Sequence, residues 1–332
     1  MTAIFADEVP ALWYRNAREF AAYGKIFGTV FTMKKRAIVT LDVFTNRALT
    51  GNALAVCLDG RGLTTEQMQS IARETNLSET TFILPGEAAA EKAAENDRGI
   101  RVRIFTVQEE LPFAGHPALG TAFVLHQRTG ASDIRLELNV GIVPVRFEKA
   151  DGQPVFGEMT QNNPTFLQTH AVDSIAPFTN LSAADFDNSV PIQTVSTGLP
   201  FTIAAVRSLE KMRGLRVDVQ RVNEYLERTG GGKFLYFVSR EAIDPQARLH
   251  ARMFFYNGED PATGSAAGCC ASWMVAHGVA ASDERVMIEQ GVEMHRPSRI
   301  FVRASKKDNQ VINVRVGGNC VEVLRGELTL AD

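Results

Sequence analysis

The sequence predicts an α+β protein of two similar domains, each a mixed, strongly curved sheet rolled around a central helix. Three observations lead there. The chain repeats itself: Gly115 and Gly264 stand 149 positions apart, each heading a run of small and apolar residues. At the same offset "RVRIFT" falls on "LHARMFFY", with Ile104 on Met253, and at an offset of 150 "LAVCLDG" falls on "IAAVRSL", with Ala55 on Ala205. Three landmarks in one order at nearly constant spacing describe two halves of one design. Secondly, the segments around these landmarks are rich in β-branched and aromatic residues, as strands are. Thirdly, each glycine turn leads into a small-residue and apolar run of helical character, "TAFVLHQRTG" after the first and "CCASWMVAHG" after the second, as a helix wrapped by its own sheet would be.

The elements follow in order. Met33 opens "MKKRAIVTLDVFT", a first strand. The preceding residues 1–32 lack the basic start and apolar core of a secretory signal and read as an N-terminal extension, or as a targeting or partner-binding segment. "LAVCLDG" is the second strand. Thr64 and Gln67 make a capping box, after which Met68, Ile71, Ala72 and Thr75 keep helical spacing. Asn76 ends that helix and "TTFIL" continues as a strand. Residues 85–99, polar and alanine-rich, read as a solvated hairpin loop. "RVRIFT" is the next strand, and the Gly115 helix closes the half. Residues near 155 to 195 join the halves. In the second half Asp218 caps a helix whose inner face is Val222, Tyr225 and Leu226, and "KFLYFV" is the strand after it. The expected domains are 33–157 plus 317–332, and 158–316.

Composition narrows the function. Hydrophobic residues make up 45% and charged residues 22%, ordinary for a soluble globular protein. The net charge is -3 and there is no Lys/Arg-rich run, so no nucleic-acid partner is expected. No apolar run reaches transmembrane length, so no membrane partner is expected either. The four cysteines have neither metal nor disulfide spacing, which points to a reducing, cytoplasmic compartment. Without a nucleotide-binding glycine fingerprint, a P-loop or a metal-ligand cluster, no cofactor and no metal are expected.

Chemistry-bearing residues gather at the two glycine turns. A helix N-terminus carries unpaired N–H groups and partial positive charge, and glycine lets a ligand approach that backbone closely. An anion is the natural guest at Gly115–His116 and Gly264–Ser265; tight turns and close packing alone would also account for the glycines. Asp260, four residues before Gly264, suits proton chemistry and equally suits an N-cap or turn. His116, at a helix start, should stay neutral and act as donor and acceptor. Ser265 is a cap or a substrate donor. His126 and His277 lie at helix ends and read as structural. Glu79 in "NLSETTF" has no carboxylate counterpart in "TGGG" of the second half, as expected of a single acid/base and equally of a surface glutamate.

Five stretches in order, "LDVFTNRALTGNALAV", "NLSETTFIL", "RIFTVQEELPFAGHPALG", "EDPATGSAAG" and "IEQGVEMHRPSRIFVR", resemble the phenazine-biosynthesis PhzF-like isomerase family from about Met33 onward. The resemblance implies the diaminopimelate-epimerase-like fold, in agreement with the repeat. It implies that Glu79 transfers the proton, that His116, Asp260 and Ser265 are the other active-site positions, and that Gly115 and Gly264 are the helix ends. Thr263 and Asn52 join those glycines as expected substrate-binding residues. Epimerases and racemases of this fold place a cysteine pair just before the two glycines. Ala114 and Thr263 stand there in this chain, which speaks against two-thiol racemisation; Cys269 and Cys270, a turn further in, read as core. Val107 replaces a proline frequent in the family's loop. The expected activity is that of a cofactor-free isomerase, working as a homodimer, that moves a proton within a small carboxylate-bearing metabolite. A non-catalytic metabolite-binding protein and a thiol-independent epimerase of an amino-acid-like compound are the alternatives.

Overall fold

Strand β1 (Met33–Val43) runs antiparallel to β2 (Asn52–Cys57), with Leu41 opposite Leu54 and Val39 opposite Val56, and these four side chains are fully buried. The structure is a computed structural model that describes residues 33–149, 152–230, 232, 234–255 and 258–331; the expected extension, 1–32, lies outside the described residues. From β2 the chain enters the helix Thr65–Thr75. Thr64 accepts from the Gln67 N–H, the Gln67 side chain accepts from the Thr64 N–H, and Asn76 closes the helix in the left-handed conformation, a capping box at one end and an αL cap at the other. The return strand β3 (Glu79–Leu84) lies parallel to β2, as a helical crossover allows. Next, β4 (Ile100–Phe105) pairs antiparallel with β3 and with the short β5 (Glu110–Leu111), and parallel with β6 (Asp133–Leu138). An antiparallel meander through β7 (Gly141–Glu148) and β8 (Phe156–Thr160) completes the first half.

The second half repeats these pairings strand for strand. After β9 (Thr165–His170), β10 (Ile192–Ser196) and β11 (Pro200–Ala205) are antiparallel, and β11 lies parallel to β12 (Phe234–Ser239). Then β13 (Ala247–Phe255) pairs antiparallel with β12 and β14 (Gly258–Asp260), and parallel with β15 (Val286–Gln290). Finally β16 (Ser298–Lys307) and β17 (Gln310–Ala331) form the closing meander. Strands β1 to β8 thus correspond to β10 to β17. Antiparallel β8 and β17, with Gly157 opposite Gly318, make the two halves one continuous sheet. Residues 37–326 form one compact unit; the strand ends outside it form another, in which Lys35 and Glu327 pair at 2.8 Å.

Each half encloses one helix. Gly115–Thr129 touches strands from β2 round to β8 and is buried from Gly115 to Leu125; Gly264–Ala276 touches β10, β11 and β16 and is buried from Gly264 to Val275. Contact with both ends of a strand series means that the sheet wraps around its helix. Leu119, Trp273 and Met274 are fully buried in this core. Enclosing one large apolar side chain of this kind stabilises the fold by about 2 kcal/mol. His126, in the last turn of the first central helix, bonds the Ala131 carbonyl at 2.7 Å, and His277, which ends the second, bonds Gln193 at 2.9 Å. Both serve structure.

Two expectations need correction. Residues 85–99 hold a helix, Ala89–Arg98, whose start is capped by Glu91 accepting from the Glu87 and Ala88 N–H groups. Alanine-rich sequence favours helix even without an apolar stripe. The stretch from 155 to 195 is also more than a connection, since it supplies β8, β9 and the start of β10.

Candidate active site

The two central helices meet at their N-termini. A Cβ built on Gly115 would lie 2.6 Å from the Gly264 carbonyl carbon and from the Ser265 nitrogen; one on Gly264 would lie 3.2 Å from Gly115 Cα and 2.8 Å from the Phe44 ring. Glycine at both positions lets backbone touch backbone. The N-cap residues, Ala114 and Thr263, make no side-chain capping bond. The positive ends of two buried helices are therefore left without a side-chain cap, as an anion-accepting helix start is. They open on a cavity of about 500 Å³.

The structure brings Glu79, His116, Asp260 and Ser265 to the wall of that one cavity, together with Gly115, Thr263 and Gly264; Phe113, Leu199, Phe201, Met253 and Phe255 give it an apolar side. Asn52 stands behind this wall, 1% exposed. Its amide nitrogen donates to Asp260 Oδ1 at 2.8 Å and to the Ala262 carbonyl at 2.9 Å, and lies 3.2 Å from His116 Nδ1. The first two bonds use both amide hydrogens.

Glu79 is the first residue of β3, 8% exposed. Its Oε2 lies 3.3 Å from Nε2 of His116, without hydrogen-bond alignment, and both atoms are buried with no hydrogen-bond partner. Two unpaired polar atoms facing each other in a buried place are costly to hold, which marks the pair for function. Burial holds Glu79 well above the usual carboxylate range, and the Asp260 charge adds to the rise, the combination of desolvation and like charge that favours the neutral acid. Burial lowers His116 to about 3, against a hydrogen bond to the Ala53 carbonyl. Since Nε2 is unpartnered, that bond falls to Nδ1, and a neutral imidazole turns its Nε2 lone pair towards Glu79.

Asp260 ends β14. Burial raises it to about 6, opposed by hydrogen bonds from Thr263 and Asn52. Thr263 Oγ1 donates to Asp260 Oδ2 at 2.5 Å. The cysteines are remote from this chemistry in character: Cys269 and Cys270 are fully buried, and burial pushes the Cys269 thiol up to about 11 and Cys270 further up. A thiol kept protonated in this way is a poor nucleophile and a poor base. Among the described residues no cluster of His, Cys, Asp or Glu has a geometry that would hold a metal ion, and no helix is long and apolar enough to cross a membrane.

Sequence reasoning passed over the residues that hold the loops in place. Arg296 donates to the Gly51 carbonyl at 2.8 Å, the Thr50 carbonyl at 3.0 Å and Asp42 at 2.6 Å, and so fixes the turn that carries Asn52. Ser298 donates to the Pro261 carbonyl at 2.8 Å, and Gln290 binds Asp260 and Thr263. All three belong to "IEQGVEMHRPSRIFVR", a stretch recognised by resemblance and given no role. Its clustering of buried-capable polar residues just after a strand was the available signal.

Residues 41–326 match the family described as phenazine biosynthesis-like protein. An uncharacterized isomerase of Mesorhizobium japonicum is 37% identical over 309 residues, covering 89% of this chain and 99% of that protein. The trans-2,3-dihydro-3-hydroxyanthranilate isomerase of Pseudomonas chlororaphis is 33% identical over 300 residues, 88% of this chain and 99% of that one. Among solved structures, the phenazine biosynthesis protein of the PhzF family from Bacillus anthracis superposes with a TM-score of 0.79 at 26% identity, over 90% of this chain and all of that one.

Proposed function

This chain belongs to the phenazine biosynthesis-like family and is an isomerase, and on that premise we propose that it moves a proton within a small carboxylate-bearing metabolite, with Glu79 as acid and base and with no cofactor. The observation that carries this reading is the buried, unpaired pair Glu79–His116 at the mouth of two uncapped helix starts. The N–H groups of those starts hold the substrate carboxylate. Glu79, raised by its apolar surroundings, takes a proton from carbon and returns it, or its equivalent after exchange with solvent, to another position of the same frame. The lone pair of His116 Nε2 faces Glu79 Oε2, where the carboxyl holds the proton between its removal and its return. Asp260, an acceptor on the wall of the same cavity, orients an amine or hydroxyl of the substrate, and Ser265 donates to its carboxylate. The acting form is a cytoplasmic homodimer, with residues 33–157 plus 317–332 forming one domain and 158–316 the other.

A relative is named for trans-2,3-dihydro-3-hydroxyanthranilate, a cyclic carboxylate with an amine and a hydroxyl, which makes that compound the first substrate to try. Incubation in D2O should place deuterium from solvent on product carbon. Glu79→Gln, which keeps the size and removes the base, should lower the rate by at least ~10³-fold, the upper part of the range for general acid–base groups. A fully active glutamine variant would remove Glu79 from the mechanism.

A further inference from the structure

We propose that Gln290 is a positioning residue that points the hydroxyl proton of Thr263 at Asp260 and thereby keeps Asp260 a hydrogen-bond acceptor towards the cavity. Gln290 ends β15, is fully buried and does not line the cavity. Its Oε1 accepts from Tyr236 Oη at 3.0 Å and from the Thr263 N–H at 3.2 Å. Its Nε2 donates to the Asp260 carbonyl at 2.8 Å and to Thr263 Oγ1 at 2.9 Å. The amide cannot be turned over: a flip would set NH2 against a backbone N–H, and oxygen against a backbone carbonyl. Those two backbone groups have fixed polarity, so the direction of every later bond in the chain follows from them.

Thr263 Oγ1 therefore receives a hydrogen from Gln290, and its own hydrogen is left for Asp260 Oδ2, at 2.5 Å. Asn52, held at Ala262, donates to Oδ1 from the other side. Asp260 thus has a donor on each oxygen, both set from behind the wall. The charged and titratable groups around it are Glu79 on β3, Glu259 beside it on β14 and Tyr236 on β12, with His116 of the first central helix lining the same cavity. Glu259 is engaged by Arg252 of β13, 6% exposed, at 2.6 and 2.8 Å. None of these donates a hydrogen bond to the Asp260 carboxylate among the bonds described, so the Thr263 and Asn52 donors, with a further bond from Ser78, are what favours its ionised form. The division of labour that results, a carboxyl of raised proton affinity at Glu79 and one kept accepting at Asp260, is the arrangement a proton shift needs. That consequence rests on the isomerase reading; the hydrogen-bond assignment does not.

The test is a carbon-13 titration of Asp260 in protein labelled at aspartate carboxyls, with the resonance assigned by its loss in Asp260→Asn. Gln290→Met keeps the length and removes the donors. It should raise the Asp260 midpoint by up to about one unit, a tenfold change in proton affinity. Thr263→Val should raise it at least as far, and Gln290→Met should add nothing when Thr263 is already valine, because both act through one hydrogen bond. Gln290→Glu is measured alongside, so that a folding failure of the methionine variant still leaves a result; its upward shift should be larger with Thr263 present than with valine there. A folded Gln290 variant with an unmoved Asp260 midpoint, or a shift of equal size in both backgrounds, would overturn the proposal. Since no turnover is measured, failure of the isomerase assay would sink the function and leave this outcome standing.

Discussion

Consider Gly115→Ala. Its added Cβ would sit 2.6 Å from two backbone atoms of the opposing helix, the Gly264 carbonyl carbon and the Ser265 nitrogen, whereas ordinary contacts begin near 3.4 Å. Backbone atoms cannot turn aside as a side chain can, so the two helix starts must move apart by about 0.8 Å, the difference between 3.4 and 2.6 Å. Overpacking of this kind costs about 1–3 kcal/mol, which in a chain of this size lowers Tm by roughly 2–6 °C. The effect on rate is larger in proportion. A displacement of on the order of 1 Å in a catalytic arrangement costs ~10²-fold, and here it separates His116 and its helix end from Ser265 and Asp260. The comparison is Gly264→Ala, whose Cβ meets the edge of the Phe44 ring at 2.8 Å and Gly115 Cα at 3.2 Å. A ring can shift, so that variant should lose less, and Phe44→Leu should partly rescue it while leaving Gly115→Ala unrescued. Thermal unfolding and solvent-deuterium uptake measure both quantities. If Gly115→Ala keeps its Tm and turns over within twofold of the parent, the helix starts are not in the rigid contact argued from the geometry.

Two more predictions concern titration and thiols. A carboxyl whose folded-state pKa is raised, as at Glu79, contributes stability that is full below its ordinary value of 4.5 and is lost as pH rises towards the folded value. Glu79→Gln and the parent should therefore melt alike near pH 4, and the glutamine variant should melt higher at pH 8; His116, whose shift runs the other way, is common to both. An advantage that instead grows towards acid pH would contradict the burial argument. Replacing Cys269 and Cys270 together by alanine should cost about 1–3 kcal/mol of stability through lost packing and leave the deuterium-uptake rate within a few-fold. The parent should also resist alkylation at pH 8, because burial keeps both thiols protonated and the thiolate is the reacting form. Loss of turnover in a folded double variant would reopen a thiol mechanism.

The repeat was legible because the landmarks are local: a glycine before an apolar helix and a β-branched strand look the same in both halves. The structure turns the offset of 149 into a matching series of strand pairings, β1 to β8 against β10 to β17. The helix Thr65–Thr75 was legible for a like reason, since its capping box closes within four residues. The helix Ala89–Arg98 was missed because its cap comes from Glu91 reaching backward and its faces carry no apolar period to read. In the site, Glu79, His116 and Asp260 stood out by type beside glycine turns. Arg296 and Gln290 did not: Arg296 meets Gly51 across 245 positions, and Gln290 meets Thr263 across 27, with nothing local to announce either bond. Asn52 entered the candidate set as a substrate ligand, and the fold directs its amide to Asp260 and Ala262.

The doubling of the fold poses a problem of handedness for whatever enters the cleft. On the proposed function, two repeat-related helix starts would offer a carboxylate two nearly equivalent berths, and a molecule that settled in the wrong one would present its opposite face. The acids break the tie. Strand β3 begins with Glu79, whereas its counterpart β12 begins with Phe234, 3% exposed. Phe234 packs against Phe201 and Phe255, two side chains of the cavity's apolar side, so the second half meets the cleft with hydrocarbon where the first meets it with a carboxyl. The repeat supplies matching helix starts, and the loss of symmetry at a single strand start gives the two sides of the cleft different chemistry.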